Sequence, residues 1–185
     1  MSDLVFNSGR YFKHTSTRVI NEVNHVKDKR LKIYPLILDF IESGGQLSDA
    51  SLIQYNFHLN ENDKKHINSL FSHLESQQNF LSFLRAFQRQ YKRSLEKAIS
   101  LVSLFASIER PYLRDLITGN GIHKEDAEII VDAYYWSPGK NDPKYITIER
   151  RAIEDNRDVI LHILQKQCTD FPETELKLLH ISELT

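Results

Sequence analysis

The feature of this 185-residue sequence most suited to binding another molecule is a set of basic side chains that recur every four residues. Residues four apart on a helix project from one flank, so this spacing predicts a basic stripe. Guanidinium and ammonium groups bind phosphate oxygens, and the stripe could therefore contact nucleic acid. Its members are Arg85, Arg89, Lys92, Arg93 and Lys97.

The same stripe is also typical of the solvated face of an amphipathic helix. Residues 79 to 114 contain seven basic and two acidic side chains, a net charge of +5. Residues 35 to 78 contain two basic and six acidic side chains, a net charge of −4. Because acidic partners are available within the chain, we favour the solvated face, and nucleic-acid binding is the alternative.

A second candidate for nucleic-acid contact is a helix-turn-helix arrangement with a wing. Residues 112 to 118 would form the first helix, 119 to 122 the turn and 123 to 134 the second helix, and the layout resembles the general winged-helix plan. A hairpin over residues 134 to 148 would be the wing. Its basic residues would be Lys140 and Lys144. The second helix has one basic and four acidic residues, so it would repel phosphates, which favours packing or protein contact.

Aromatic residues beside a turn form the candidate protein interface. The segment 137 to 143 is rich in Pro, Gly and Asn, and β-branched and aromatic residues follow it, so the pattern predicts a hairpin. Binding surfaces concentrate aromatic side chains, and terminal amphipathic segments dock into grooves. The expected contact residues are Tyr134, Tyr135 and Trp136, together with the two chain termini.

Sequence signatures of catalysis, metal binding and cofactor binding are lacking. The eight histidines do not have metal-ligand spacing, and Gly119-Asn120-Gly121 lacks the third glycine of a dinucleotide loop. Cys168 has no base beside it in the sequence. We therefore expect no catalytic residue, no metal and no cofactor. The alternative is an enzyme built from distant residues, which would be recognised by a polar cleft with titratable groups in hydrogen-bond reach.

The elements that would hold these residues are mainly helical. Apolar side chains three and four apart predict a helix over residues 16 to 42, kinked or divided at Pro35, and a long helix over about 77 to 109. Shorter helices are predicted at 48–57, 60–74, 111–118, 123–134, 150–167 and 176–184. The predicted fold is a mainly α helical bundle around the long central helix, with one small β-hairpin near 134–148.

Composition fits a single globular domain over residues 1 to 185, with residues 111 to 148 as a sub-module. Because 24 basic side chains balance 25 acidic ones, bulk charge gives no argument for a nucleic-acid or membrane partner. Cys168 is the only cysteine and no apolar run approaches the length that spans a bilayer, so a cytoplasmic location is expected.

These observations predict a non-enzymatic regulatory or adaptor protein that acts by binding another protein. A nucleic-acid-binding regulator is the alternative. No membrane partner is expected, and self-association into a homo-oligomer stays open.

Overall fold

A computed structural model of the chain describes residues 12–45, 61, 65, 69, 77–147, 153–168 and 175–183, and all structural statements concern these residues. They form five α-helices, two pairs of short parallel strands and a terminal 3-10 turn, so the predicted mainly α class is confirmed. In chain order the elements are β1 (His14–Ser16), α1 (Thr17–Glu42), α2 (Gln77–Ser100), β2 (Ser103–Phe105), α3 (Pro111–Thr118), α4 (Lys124–Trp136), β3 (Lys144–Thr147), α5 (Arg157–Gln167), β4 (Lys177–His180) and the 3-10 turn (Ile181–Glu183).

The described residues fall into two compact units, each with its own apolar core. The first unit is built around residues 21–45 and 77–101, and the second around residues 12–20 and 102–183 within the described ranges. The expectation of a single domain stays a prediction. None of the helices within the described ranges is long and apolar enough to cross a membrane.

The core of the first unit lies between α1 and α2. Tyr34 of α1 is fully buried and meets the rings of Phe87 and Tyr91 edge-on, with centroid distances of 5.9 and 6.0 Å. The helix α1 continues through Pro35 rather than dividing there. Pro35 is exposed, so the backbone hydrogen bond that its ring removes is lost on the side of the helix that faces water.

The core of the second unit is formed by α3, α4, α5 and β4. Ile117, Ile130, Ile160 and Leu164 are fully buried in it. The predicted helix–turn–helix order of α3 and α4 is present. Gly121 closes the turn between them with φ at +85°, a conformation that glycine adopts without a steric penalty.

The predicted central helix over about 77 to 109 is too long. The helix α2 ends at Ser100, where the Ser100 hydroxyl donates to the Lys97 carbonyl and the Leu101 N–H donates to the Ala98 carbonyl. The next residues form β2, which pairs in parallel with β1. The apolar side chain of Phe105 is therefore not part of a helical stripe but belongs to a strand.

The predicted hairpin over residues 134 to 148 is wrong. Tyr134 and Trp136 are the last turn of α4, because the buried stripe of that helix continues in phase from Ala127 through Val131 to Tyr134. The strand β3 does form, but it pairs in parallel with β4, more than thirty residues further along the chain. Its partner could not be inferred from local turn chemistry.

The helix predicted over residues 176 to 184 is also wrong. Leu176 and Leu178 are buried and Lys177 is exposed, which is the two-residue alternation of a strand rather than a helical period. Of the helix predicted over 150 to 167, residues 157–167 form α5, 153–156 lie before it, and 150–152 lie outside the described residues. The helix predicted at 48–57 lies outside the described residues. Of the one predicted at 60–74 only Glu61, Lys65 and Ser69 are described, and all three are helical and exposed.

Candidate functional site

The three aromatic residues predicted as an interface have different environments. Tyr134 is 0 % exposed and lies in the core of the second unit, so it is a packing residue and the interface prediction fails for it. Tyr135 is half-buried, and its hydroxyl accepts a hydrogen bond from the Arg110 guanidinium at 3.0 Å. Burial raises the pKa of Tyr135, and a hydrogen bond with Cys168 raises it further, against the opposing effect of Arg110.

Trp136 supports a two-stranded ribbon made of β1 and β2. Its ring packs on His14 of β1 at 4.7 Å and stacks on Phe105 of β2 at 5.5 Å between centroids. The Lys140 ammonium group lies 5.5 Å from the centre of the same ring. Burial and the charge of Lys140 lower the pKa of His14 from its ordinary value. The Trp136 ring therefore packs against both strands and serves as the platform of the ribbon.

Among the described residues no third strand pairs with β2, so its outer edge is open there. In the register Thr15 pairs with Leu104, and the Ser103 N–H donates to the Lys13 carbonyl at 2.9 Å. In a parallel pair, every second residue of a strand bonds to the neighbouring strand. Because Ser103 bonds to β1, the N–H and C=O of the next residue, Leu104, point away from β1. Ser103 and Leu104 are exposed, with the Leu104 side chain 53 % accessible, and Phe12 just before β1 is 98 % accessible.

Hydrogen bonds fasten the ends of both strands. The Thr17 and Ser107 hydroxyls lie 2.9 Å apart, and the Ser107 N–H donates to the Thr17 hydroxyl at 3.1 Å. The Arg18 N–H donates to the Ser107 hydroxyl at 2.8 Å. Two-stranded sheets are marginal in water by themselves. These contacts, together with the Trp136 platform, give β1 and β2 one defined geometry.

A network of charged side chains anchors this ribbon to α4. Arg18 donates to Asp132 at 3.3 Å and to Glu128 at 2.9 Å, and it reaches the more exposed Glu109 at 3.0 Å. Asp132 is fully buried and also accepts the Ile108 N–H at 2.8 Å. Burial acts to lower the pKa of Arg18, but the hydrogen bonds and charges of the three carboxylates outweigh it and raise that pKa.

Sequence reasoning missed this network. A signal was present, because Asp132 interrupts the apolar run Ile129-Ile130-Val131 of α4 at a position that continues the buried stripe. A charged residue in such a run needs a partner of opposite charge. Arg18 lies 114 positions earlier in the chain, and only the tertiary fold brings the two together.

The acidic residues of this network are paired with arginines and lie beside a small cleft. Glu128 is shared between Arg18 and Arg114, the latter at 3.4 Å, so its charge is neutralised by arginines. The adjacent cleft, between Ile108 and Val131, has an empty volume of about 180 Å³, below the roughly 300 Å³ of small ligand pockets. Among the described residues no three His, Cys, Asp or Glu side chains converge as a metal site. Cys168 is buried.

The basic stripe lies on α2 in the first unit and all of its members are exposed. Arg85 forms an ion pair with Glu42 of α1, and Lys92 lies 4.0 Å from Glu96. Within the described part of the chain, the side chains of Arg89, Arg93 and Lys97 have no ion pair or hydrogen bond. The stripe is therefore only partly neutralised by intramolecular carboxylates.

The two lysines predicted on the wing do not continue this stripe. Lys140 contacts Trp136 in the second unit, as described above. Lys144 is held by Asp142, whose second oxygen binds Lys177, with both distances at 2.6 Å. Lys144 and Lys177 are register partners in β3 and β4, and like charges directly opposite each other destabilise a sheet. Asp142 therefore removes a repulsion between the strands, and Lys144 is a structural residue.

Replacing Asp142 with asparagine should loosen the pairing of β3 and β4. Asparagine tolerates the positive φ of 52° at this position, so the change removes the charge without adding backbone strain. The hydrogen bonds from Lys144 and Lys177 lower the pKa of Asp142 from 3.8 to about 2. A carboxyl with a depressed pKa stabilises the fold above the unfolded value near 3.8, and this contribution is lost as pH falls through 2.

Amide hydrogen exchange over β3 and β4 measures this effect. At pH 6 the exchange of Tyr145 and Leu179, whose N–H groups face the other strand in this register, should be several-fold faster in D142N than in the unchanged chain, and the midpoint of thermal unfolding should be lower. The difference in midpoint should shrink as pH is lowered from 4 to 2. A difference that stays constant over this range would contradict the assigned role of the Asp142 charge.

No family model, curated protein or solved structure matches this chain. The assignment of a function therefore rests on the geometry of the chain's own residues.

Proposed function

We propose that this chain is a non-enzymatic binding protein of the regulatory or adaptor class, which takes up an extended segment of another protein as a third strand along β2. The observation that supports this most strongly is the open edge of β2, where the backbone N–H and C=O of Leu104 point away from β1. Exposed strand edges are templates for pairing with another chain. In this binding mode backbone hydrogen bonds supply affinity, and neighbouring side chains supply selectivity.

Two further features favour a partner strand at this edge. Leu104 exposes apolar area beside it, and an added strand with apolar side chains would cover part of that area. The edge is also preorganised, because the Thr17–Ser107 hydrogen bonds and the Trp136 platform already hold the ribbon. A preorganised edge loses little conformational entropy when it binds, which leaves more of the interaction free energy for affinity.

Replacing Leu104 with proline should weaken binding of such a strand at least about tenfold. Proline removes the N–H that faces the open edge and places its ring there, while the β1–β2 hydrogen bonds, which use the alternate residues, are retained. The test is to select binders from a displayed library of random twelve-residue peptides against the unchanged protein. The affinity of the enriched peptides for each variant is then measured by fluorescence anisotropy.

The control is Leu104→Ala, which removes the same side chain but keeps the backbone N–H. L104A should bind the selected peptides more weakly than the unchanged protein but more tightly than L104P, and both variants should melt within a few degrees of it. Selected peptides should alternate apolar and polar residues, as expected for a strand. Selection of no peptide, or peptides that bind L104P and the unchanged protein equally well, would contradict the proposal.

A further inference from the structure

The exposed side of α2 is a basic surface separate from the strand edge. It consists of the residues of the basic stripe, Arg85, Arg89, Lys92, Arg93 and Lys97, and we call this surface the basic face. The opposite side of α2 carries Leu84, which is fully buried, and the rings that pack on Tyr34 of α1. Four-residue steps of the basic side chains therefore follow the side of the helix directed away from the core.

Electrostatic repulsion within the basic face is only partly relieved by carboxylates of the chain. Arg85, Arg89, Arg93 and Lys97 are successive neighbours at a spacing of four, and like charges at this spacing destabilise a helix. Arg85 has a carboxylate partner in Glu42 and Lys92 has one in Glu96, while the side chains of Arg89, Arg93 and Lys97 have none among the described residues. An anionic partner outside the chain would relieve this repulsion.

The residues between the basic side chains narrow the class of that partner. The exposed ones are small or polar: Ala86, Gln90, Ser94 and the acidic Glu96. A protein interface has an apolar core and an amphipathic membrane helix has a free apolar face, whereas the apolar side of α2 is already covered by α1. Phe83 is 38 % exposed, but it lies two residues before Arg85 and so on the opposite side of the helix, where it stacks on Phe87 at 5.9 Å. It is therefore not placed among the basic side chains as a platform for unpaired bases.

We propose that the basic face binds duplex nucleic acid through its phosphate backbone, without reading the base sequence. The twelve residue steps from Arg85 to Lys97 extend about 18 Å at 1.5 Å per residue. A duplex carries about one phosphate charge per 1.7 Å of axis, so phosphates are available along the whole row. Arginine and lysine contacts to these phosphates release counterions, which is the main source of sequence-independent affinity. This proposal does not depend on the strand edge of the second unit.

Salt dependence of DNA binding tests the proposal. With five phosphate contacts the logarithm of affinity falls with a slope of about −4.5 against the logarithm of salt, so affinity for a 24-base-pair duplex of random sequence should fall about 500-fold between 50 and 200 mM salt. Arg89→Gln combined with Arg93→Gln should reduce that fall to about 40-fold, because two contacts are lost. Binding of this double variant at 50 mM salt should be at least about tenfold weaker.

The matched control removes two exposed lysines from the second unit, Lys124→Gln with Lys166→Gln, and changes the net charge by the same amount. K124Q/K166Q should bind DNA as the unchanged protein does. R89Q/R93Q should melt at the same temperature or higher, since glutamine is a good helix former and the repulsion is relieved, so lost binding cannot be ascribed to unfolding.

Three results would overturn the proposal. The first is no DNA binding at 50 mM salt, and the second is equal binding by R89Q/R93Q and K124Q/K166Q. The third is tighter binding, at equal salt, to vesicles containing phosphatidylserine or to polyglutamate than to the duplex. The third outcome would assign the basic face to a membrane surface or to an acidic protein instead.

Discussion

Replacing Arg18 with methionine should lower the free energy of unfolding by about 3 kcal/mol. Methionine retains much of the apolar stem, but it leaves the fully buried Asp132 carboxylate without its cation. An uncompensated buried charge is strongly destabilising, whereas loss of the contact to Glu109, which is 74 % exposed, costs little. Urea unfolding followed by Trp136 fluorescence measures the change, because Trp136 is the only tryptophan and lies in the same unit.

A second substitution separates the charge effect from lost packing. R18M/D132N replaces the carboxylate with a neutral amide that can still accept the Ile108 N–H. Glu128 remains in contact with Arg114 in both variants. The double variant should therefore recover most of the stability lost in R18M. If R18M costs less than about 1 kcal/mol, or if D132N gives no recovery, the network is not the anchor of the ribbon.

Replacing Tyr134 with alanine should cost about 4 kcal/mol of stability. The side chain is fully buried in the core cluster of the second unit, and removal of a buried aromatic ring leaves a cavity that the neighbours fill only in part. Tyr134 was expected on an exposed hairpin, where the same change would have little effect on folding. Thermal and urea unfolding of the variant measure the loss directly.

Tyr112→Ala is the matched control, because Tyr112 is also a helical tyrosine of the second unit but is 63 % exposed. Its substitution should change the free energy of unfolding by less than about 0.5 kcal/mol. Similar losses for Y134A and Y112A would contradict the buried position of Tyr134 and return it to the set of interface candidates. A large difference confirms that the last turn of α4 is part of the core.

One part of the candidate sites can be predicted from the sequence, and another part depends on how the helices and strands pack. The position of the basic face on α2 follows from four-residue spacing, which is a property of the local sequence. The partial neutralisation of the basic face does not follow from the local sequence, because the pairing of Arg85 with Glu42 depends on how α1 and α2 pack. The strand edge at Leu104 was not anticipated, since residues 103 to 105 continue the apolar pattern of α2 and were assigned to that helix.

Local sequence determined the helices of this protein and their buried sides. The stripe Ala127, Ile130, Val131 and Tyr134 predicts α4, and Pro111 and Gly121 mark the start of α3 and the turn that follows it. These features depend on residues three or four apart, for which helical geometry alone settles which side chains share a face.

Only the tertiary structure decided the strands and the polar network. The pairs β1–β2 and β3–β4 join segments separated by about ninety and thirty residues, and a strand of three or four residues acquires its hydrogen bonds only when its partner arrives. Arg18 and Asp132 likewise meet only in the folded chain. The physical reason is that helical hydrogen bonds close within four residues, whereas those of parallel strands and buried ion pairs require distant segments to be brought together first.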